Sequence, residues 1–274
     1  MRGLRIERLF RAVAFVAVVT AVALVVISQW RDFRSAQVRK ALFTEIQPVH
    51  LTNCEPRRFG EPYGGGYPLC ENLLGRVKSG YSYGISGYDG WGCEVSRRLR
   101  VRVHQYDCFN LTEPSCPGGQ TTFHGECIGT SKETQDGRPF DTLANQFARN
   151  GDVSTPIVMK IDVEGAEWDS FLSAPDTALS QIDQLDVEFH EVDDPKYVET
   201  IRRLKQFFYV AHVHYNNYSC DPSLAPFPAW AFEVLFVSKR IAMSDGVPAP
   251  AAANVDAPNK PSADDCQAAA RIGA

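Results

Sequence analysis

The sequence predicts an α/β fold, with a mainly parallel sheet, helices on both faces, an antiparallel C-terminal strand and one apolar helix ahead of the sheet. From about residue 76 to residue 240, strand-like apolar runs alternate with segments of helical length, which is typical of parallel strands joined by crossover helices. The last two strand-like runs are joined by a long loop without a helix, which favours an antiparallel end. An uncharged run at residues 12–28 predicts the apolar helix.

The individual elements follow from changes in this periodicity. A short helix is predicted at 33–46, and residues 53–75, rich in Gly, Pro and Cys, are predicted to be irregular. The predicted strands are 76–85, 101–106, 121–128, 157–163, 185–190, 209–215 and 232–238. The predicted helices between them are 88–99, 140–150, 167–172 and 195–207.

Residues 12–28 are predicted to anchor the chain in a membrane. At ~1.5 Å per residue the run spans roughly 25 Å as a helix, at the short end of what crosses a hydrocarbon core. The arginines before it predict a cytoplasmic N-terminus; they are Arg2, Arg5, Arg8 and Arg11. A signal peptide cleaved at Ala21-Val22-Ala23 and a buried core helix are the alternatives, but apolar residues continue beyond that triplet.

The predicted organisation is that of a single-pass type II membrane protein. It comprises a cytoplasmic tail (1–11), the signal anchor (12–28), a stem (29–52), a folded domain (53–240) and a disordered tail (241–274) that is rich in Ala and Pro. The short tail and the anchor predict the Golgi or another endomembrane, with the folded domain in the lumen.

The charge distribution argues against nucleic acid as a partner, and the cysteines indicate a lumenal or extracellular body. The net charge is −5; residues 1–40 hold eight Lys/Arg and two Asp/Glu, a net of +6, which leaves −11 for the rest. A body this acidic lacks the basic surface that binds phosphates. All eight cysteines follow the apolar run without a CxxC spacing, which predicts disulfides in an oxidising compartment. Asn110 and Asn217 begin N-glycosylation sequons.

Two loops that follow the first two strands are candidate cofactor-binding segments, because ligands bind at this edge of an open α/β sheet. The first loop carries Gly84, Ser86 and Gly87. Its glycines permit close approach of the backbone to a ligand, and a tight turn is the alternative explanation. Asp107 ends the second strand 23 residues after Gly84, near the ~20-residue offset of the ribose-binding acid in dinucleotide folds. A solvated loop acid is the alternative there.

The segment after the fourth predicted strand is the most distinctive. Asp162 follows an apolar run, and Glu164 and Glu167 flank Gly165. Three carboxylates so close repel one another unless a cation, a ligand or a hydrogen-bond network compensates. The preference of acids for the first turn of a helix explains Glu167, whereas Asp162 and Glu164 indicate a site.

The same segment resembles a known family. Residues 160–172, KIDVEGAEWDSFL, resemble the KIDxEGaE signature of FkbM-type and related methyltransferase-like proteins, a branch of the class I S-adenosylmethionine-dependent methyltransferases. Further similarities follow in order: GYSYGI at 80–85, QYD at 105–107, FDTL at 140–143, QLDVEFH at 184–190, HYNNY at 214–218 and FEVLF at 232–236. The last three are similar to the animal-type, membrane-anchored branch, and the resemblance covers about residues 67–240.

The resemblance implies a Rossmann-like methyltransferase sheet that binds S-adenosylmethionine. It places Gly84 and its loop at the methionine moiety, Asp107 at the ribose and Asp162 beside the methyl-transfer site. The implied reaction is methyl transfer to an oxygen nucleophile, with Asp162, Glu164 or His190 removing the proton of the acceptor. The predicted compartment and the analogy with the family together suggest that the acceptor is a glycan or a similar hydroxyl compound.

Histidines on two predicted strands are further candidates. Glu188 and His190 face one side of their strand, as do His212 and His214 on the next. Close to Asp162 they could supply a base or bind a divalent metal; core polar groups satisfied by hydrogen bonds are the alternative. His190 and His214 are the stronger candidates because they lie nearer the site end of their strands, and no metal ligand is assigned.

Two other functions remain open from the residues. A lumenal glycosyltransferase would use Asp162 and Glu164 as a DxD-like metal site for a sugar nucleotide. A non-catalytic descendant would act as a binding module. The spacing of Asp107 favours the methyltransferase over the glycosyltransferase.

Overall fold

The fold is described from a computed structural model, which describes residues 2–250 and 255–266, with side chains at residue 20 and from residue 22 onward. The helices in these ranges are α1 (Arg2–Glu45), α2 (Gly90–Leu99), α3 (Leu143–Arg149), α4 (Ala166–Ser173), α5 (Asp176–Leu179) and α6 (Pro195–Phe207). The strands are β1 (Val49–Leu51), β2 (Pro56–Phe59), β3 (Tyr67–Cys70), β4 (Ser79–Tyr83), β5 (Arg102–Tyr106), β6 (Gln120–His124), β7 (Cys127–Ile128), β8 (Glu133–Gln135), β9 (Arg138–Asp141), β10 (Ile157–Ile161), β11 (Ile182–His190), β12 (Phe208–Tyr215), β13 (Ala231–Ser238) and β14 (Ser244–Pro248).

The central sheet has seven strands in the order β12-β13-β11-β10-β4-β5-β6. Hydrogen-bonded neighbours are parallel except at β13, which is antiparallel to β11 and β12. The predicted α/β fold with a mainly parallel sheet is therefore confirmed. If these seven strands are renumbered 1 to 7 along the chain, their order across the sheet is 3-2-1-4-5-7-6. The doubly wound order is 3-2-1-4-5-6, so the sheet differs from it only because its last strand is inserted next to strand 5. The order reverses between β4 and β10, where ligands bind in open sheets of this kind.

Strand β11 is buried on both faces, which have different chemistry. Leu185 and Phe189 belong to the main apolar core, beneath α4 and α6. Gln184 and Glu188 point the opposite way because side chains alternate along a strand. That polar face is covered by β3, where Gln184 exchanges two hydrogen bonds with the backbone of Cys70 (2.7 and 2.9 Å). Acidic side chains at the end of β11 are therefore buried between the sheet and its cover.

The predicted stem contributes to the folded domain. Leu42 and Ile46, at the end of α1 and just after it, are fully buried in the main core. Glu45 forms ion pairs with Arg202 (2.8 Å) and Lys205 (2.7 Å) of α6. The folded domain therefore begins before residue 53.

The tail predicted to be disordered, 241–274, is ordered where the structure describes it. Within it, β14 pairs antiparallel with β1. Further on, the side chain of Asn259 donates a hydrogen bond to Glu233 (2.7 Å), and Cys266 forms a disulfide with Cys220. The prediction of disorder is wrong for these residues, because a disulfide and buried polar contacts hold a segment that has no apolar periodicity. The remainder of the tail lies outside the described residues.

The predicted anchor, residues 12–28, lies within α1. Its side chains at 12–19 and 21 lie outside the described residues. Within the part of the chain that is described, no helix is both long enough and apolar enough to cross a membrane.

All eight cysteines are paired, as predicted, in the disulfides Cys54–Cys70, Cys93–Cys116, Cys108–Cys127 and Cys220–Cys266. Four disulfides in one domain are typical of an oxidising compartment, such as the secretory lumen or the extracellular space.

The two predicted glycosylation sites differ in accessibility. Asn217 is buried, and its amide nitrogen donates to the carbonyl oxygens of Lys260 (3.1 Å) and Ala263 (3.0 Å). Its side-chain oxygen accepts from the backbone N–H of Lys260 (2.7 Å). A glycan on Asn217 would break these bonds. The predicted glycosylation therefore remains a prediction for Asn110, which is half-buried.

Candidate functional site

A cavity of about 290 Å³ lies at the carboxyl ends of β4, β5 and β10, where the strand order reverses. Its volume is close to the lower end of the ~300–1,000 Å³ that ligand pockets occupy. Gly84, Ser86, Asp107, Asp162 and Glu164 line it. Five of the residues predicted from the sequence, on three different strand ends, therefore meet at one cavity.

Gly84 brings the ends of β4 and β10 together. Its backbone is left-handed (φ +68°), and its N–H donates to the carbonyl oxygen of Tyr106 (2.9 Å). A Cβ at this position would lie 1.5 Å from the carbonyl oxygen of Asp162. Only glycine fits here, so the loop after β4 can contact the loop after β10 directly.

Asp107 is hydrogen-bonded mainly to loop backbone. Its Oδ2 accepts from the N–H of Ser86 (2.7 Å), and its Oδ1 accepts from the N–H groups of Phe109 (2.8 Å) and Asn110 (2.9 Å). A carboxylate offers about four acceptor positions, so one position on Oδ2 remains. Asp107 therefore fixes the loop after β4 as well as lining the cavity.

Gly87 is the predicted cofactor-binding residue that lies away from the cavity lining. Its backbone is left-handed (φ +80°), and a Cβ there would lie 2.8 Å from Nδ2 of Asn110. Its role is therefore that of a tight turn, the alternative explanation for this loop.

The charged side chains that line the cavity, among the described residues, are all acidic. They are Asp107, Glu126, Asp162 and Glu164. Arg149 pairs with Glu126 from outside the cavity. Lys160 lies 3.6 Å from Asp162 but donates to the backbone oxygens of Tyr83 and Gly84. The cavity therefore favours a positively charged ligand over an anionic one.

The remaining wall of the cavity is mainly apolar. It includes Phe109, Ile128, Phe140 and the Cys108–Cys127 disulfide. Phe109 is 76% exposed, and the guanidinium of Arg138 lies 4.3 Å from the centre of its ring. An exposed ring beside an apolar wall offers a surface on which a flat heterocycle can stack.

The three predicted catalytic residues Asp162, Glu164 and His190 form a cluster beside the cavity, with ligand-type atoms within 4.8 Å of one another. Nε2 of His190 lies 3.5 Å from Glu164 Oε2 and 3.8 Å from Asp162 Oδ1. Glu164 has a left-handed backbone (φ +55°) and an exposed side chain, whereas His190 is buried. Strain of this kind in a non-glycine residue is common at functional sites.

Glu167 fixes the orientation of His190. Its fully buried Oε1 accepts from the backbone N–H of His190 (2.9 Å) and lies 3.2 Å from Nδ1 of the ring. Burial alone would lower the pKa of His190, but the hydrogen bond to Glu167 and the neighbouring carboxylates raise it to about 9. At neutral pH, this shift favours the imidazolium form of His190 when no further ligand is bound.

Glu188 and Tyr67 extend the cluster beneath Asp162. The hydroxyl of Tyr67 lies 3.3 Å from both Asp162 Oδ2 and Glu188 Oε2. Asn216 donates to Glu188 Oε1 (2.6 Å). Burial raises the pKa of Glu188 to about 8, and the charges of Asp162 and Glu233 act in the same direction. Burial also raises the pKa of Tyr67, so its hydroxyl remains a donor.

The other two candidate histidines have partners in the C-terminal segment. His212 Nε2 lies 2.6 Å from Asp256 Oδ1. His214 Nε2 lies 3.2 Å from Asn259 Oδ1, and its Nδ1 lies 3.5 Å from Asp256. Both histidines are therefore polar groups satisfied by hydrogen bonds, which was the alternative to a role as base or metal ligand.

Sequence reasoning missed Tyr67, Glu126 and the apolar wall. Tyr67 lies in a segment predicted to be irregular, and nothing in its local pattern shows that β3 covers the sheet. The pairing of Cys108 with Cys127, had it been known, would have placed Glu126 beside Asp107. Comparisons with protein-family models, curated proteins and solved structures found no match to this chain.

Proposed function

We propose that this protein is an S-adenosylmethionine-dependent methyltransferase of the FkbM-type, membrane-anchored branch. The observation that carries the proposal is an acid-lined cavity at the reversal point of a doubly wound sheet. S-adenosylmethionine has a sulfonium, an ammonium and a carboxylate group, a net charge of about +1, which such a cavity favours. A diphosphate would be repelled, because no Lys or Arg among the described residues lines the cavity.

The cavity residues fit the parts of this cofactor. The backbone at Gly84 and the carboxylate of Asp162 would hold the methionine end, since the two loops touch there. Asp107 Oδ2 keeps one acceptor position for a ribose hydroxyl. The adenine would lie against Phe109 and Phe140, which form part of the apolar wall.

When bound, S-adenosylmethionine supplies an electrophilic methyl group; the chain supplies alignment and proton removal. Asp162 belongs to both the cavity and the cluster, so its carboxylate is best placed to accept the proton of a hydroxyl acceptor. Tyr67 positions that carboxylate from below, through its hydroxyl 3.3 Å from Oδ2. Glu164 is exposed and would contact the acceptor.

The acceptor is proposed to be a hydroxyl of a glycan or similar molecule in the secretory lumen or outside the cell. The four disulfides indicate an oxidising compartment. The uncharged run 12–28 and the arginines before it support a type II anchor in the Golgi or another endomembrane. The choice of a glycan rests on this compartment and on the family resemblance.

Calorimetric titration of the full-length protein in detergent tests the proposal. S-adenosylmethionine is expected to bind with a Kd between about 1 μM and 1 mM, and Asp162→Asn to weaken binding at least tenfold. Asp136→Asn, in an exposed turn, removes the same charge elsewhere and should change the Kd less than twofold. UDP-glucose binding with Mn²⁺ in place of S-adenosylmethionine would support the glycosyltransferase, and binding of neither would support the non-catalytic module.

A further inference from the structure

Nε2 of His190 is surrounded by carboxylates without being hydrogen-bonded to them. It lies 3.5 Å from Glu164, 3.8 Å from Asp162 and 4.0 Å from Glu188, whereas hydrogen bonds of this kind measure about 2.7–3.2 Å. The His190 side chain is only 7% exposed. Within the described chain, the buried side chain of His190 therefore directs an Nε2 without a hydrogen-bond partner at a group of acids.

These separations suit an ion between the groups. Ligand atoms about 2.1 Å from a six-coordinate ion stand roughly 3.0 Å apart at right angles and roughly 4.2 Å apart across it. The distances from Nε2 to Asp162 and Glu164 lie between these limits. The three ligand atoms also lie within 4.8 Å of one another, so small side-chain rotations bring them into one coordination sphere.

The opposite ring nitrogen of His190 is already fixed. Nδ1 lies 3.2 Å from Oε1 of the fully buried Glu167, and the indole N–H of Trp168 donates to the backbone carbonyl of His190 (2.6 Å). Histidines that bind metals commonly direct the second nitrogen to a carboxylate in this way, which sets the tautomer and the ring orientation. Nε2 is thereby left as the ligand nitrogen.

We propose that Asp162, Glu164 and His190 bind one divalent transition-metal ion. One imidazole and two carboxylates suit Mn²⁺ or Fe²⁺ better than Ca²⁺ or Mg²⁺, which prefer oxygen ligands alone. Glu188 supports the site without coordinating, because its Oε1 accepts from Asn216 (2.6 Å) and, of the three acids around Nε2, it lies farthest from that nitrogen (4.0 Å).

The ion would lie at the edge of the cavity, because Asp162 and Glu164 also line it. Six-coordination would leave about three positions for water or for an acceptor. If the proposed function holds, on which this step rests, the favoured acceptor carries two adjacent oxygens, such as a vicinal diol. Coordination would lower the pKa of the reacting hydroxyl.

Electron paramagnetic resonance of Mn²⁺ tests the site itself, with the full-length protein stripped of metals and no S-adenosylmethionine present. Binding removes the six-line signal of free Mn²⁺, and one site per chain is expected. Asp162→Asn and Glu164→Gln should each weaken Mn²⁺ binding at least tenfold. Glu191→Gln, which removes an exposed carboxylate next to His190 in the sequence, should change the Kd less than twofold.

Nitrogen coupling in pulsed spectra of the Mn²⁺ complex is expected in the wild type and should be lost in His190→Gln. Because Glu164 is exposed, Glu164→Gln tests the site even where His190→Gln does not fold. Undiminished free Mn²⁺ with about 1 mM wild-type protein, equal affinity in Glu164→Gln, or a spectrum without nitrogen coupling would overturn the proposal. Since the cofactor is absent from the titration, failure of S-adenosylmethionine binding would leave this result unaffected.

Discussion

Gly84 lies so close to Asp162 that a Cβ on the glycine would be 1.5 Å from the carbonyl oxygen of the aspartate. The two residues are 78 positions apart in the sequence and follow the neighbouring strands β4 and β10. Their contact joins the loops on either side of the point where the strand order reverses. It therefore joins two of the strand ends that line the cavity.

Replacing Gly84 by alanine should lower the free energy of unfolding by at least about 2 kcal/mol, because the new methyl group meets backbone that cannot rotate away. Gly137→Ala is the matched control, since Gly137 has a similar φ of +76° but a Cβ there would meet nothing within 4 Å. The control should lose only about 1 kcal/mol, the cost of a left-handed backbone for an alanine. Urea denaturation measures both values, and equal losses would contradict the role of the contact.

Asp107→Asn should weaken S-adenosylmethionine binding at least tenfold and lower the free energy of unfolding by about 1–3 kcal/mol. The asparagine has one accepting oxygen and an amide that cannot accept from the N–H of Ser86 or of Phe109. Calorimetry and urea denaturation give the two quantities, with Asp136→Asn as the control. Unchanged affinity combined with lower stability would make Asp107 a purely structural residue.

Removal of the Cys220–Cys266 disulfide by serine substitution should cost about 4 kcal/mol of unfolding free energy, by the loop-entropy relation for its 46-residue separation. It should also expose the C-terminal segment to proteolysis, because that segment provides Asn259 as the partner of Glu233. Limited proteolysis and denaturation test this. A loss below about 1 kcal/mol with the cleavage pattern unchanged would show that the tail adds little to the fold.

The stability of the protein should fall with acid partly through His104. Burial lowers the pKa of His104 to about 4, although Asp152 opposes this shift, and the unfolded value is about 6.5. Between these two values the unfolded chain binds more protons, so the contribution of neutral His104 is complete above about pH 6.5 and is lost as the pH falls toward 4. The destabilisation caused by His104→Gln should therefore be larger at pH 7 than at pH 4.5; equal values would contradict this assignment.

The sequence predicted the sheet well because its strands are defined by local apolar patterns. The predicted helix 195–207 matches α6, and the antiparallel end follows from the long loop before β13. β1, β2, β3 and β14 were missed because they are three to five residues long and depend on disulfides or on distant partners. Short strands of this kind carry no periodicity that identifies them.

The cavity could be predicted in part for the same reason. Asp107 and Asp162 follow β5 and β10, the two strands that flank β4, so their side chains lie at the same edge of the sheet. The link between Glu167 and His190 spans 23 residues and depends on how α4 packs beside β11, which no local pattern reveals. Tyr67 reaches Asp162 across 95 residues, from the cover of the sheet.

Photolabelling with radioactive S-adenosylmethionine, followed by peptide mapping, tests most directly whether the acid-lined cavity holds the cofactor. Ultraviolet irradiation of the full-length protein is expected to label peptides from 83–87, 106–109 or 161–166, and Asp162→Asn should reduce the labelling at least tenfold. Label confined to peptides outside the cavity, or incorporation that excess unlabelled S-adenosylmethionine does not suppress, would contradict the account.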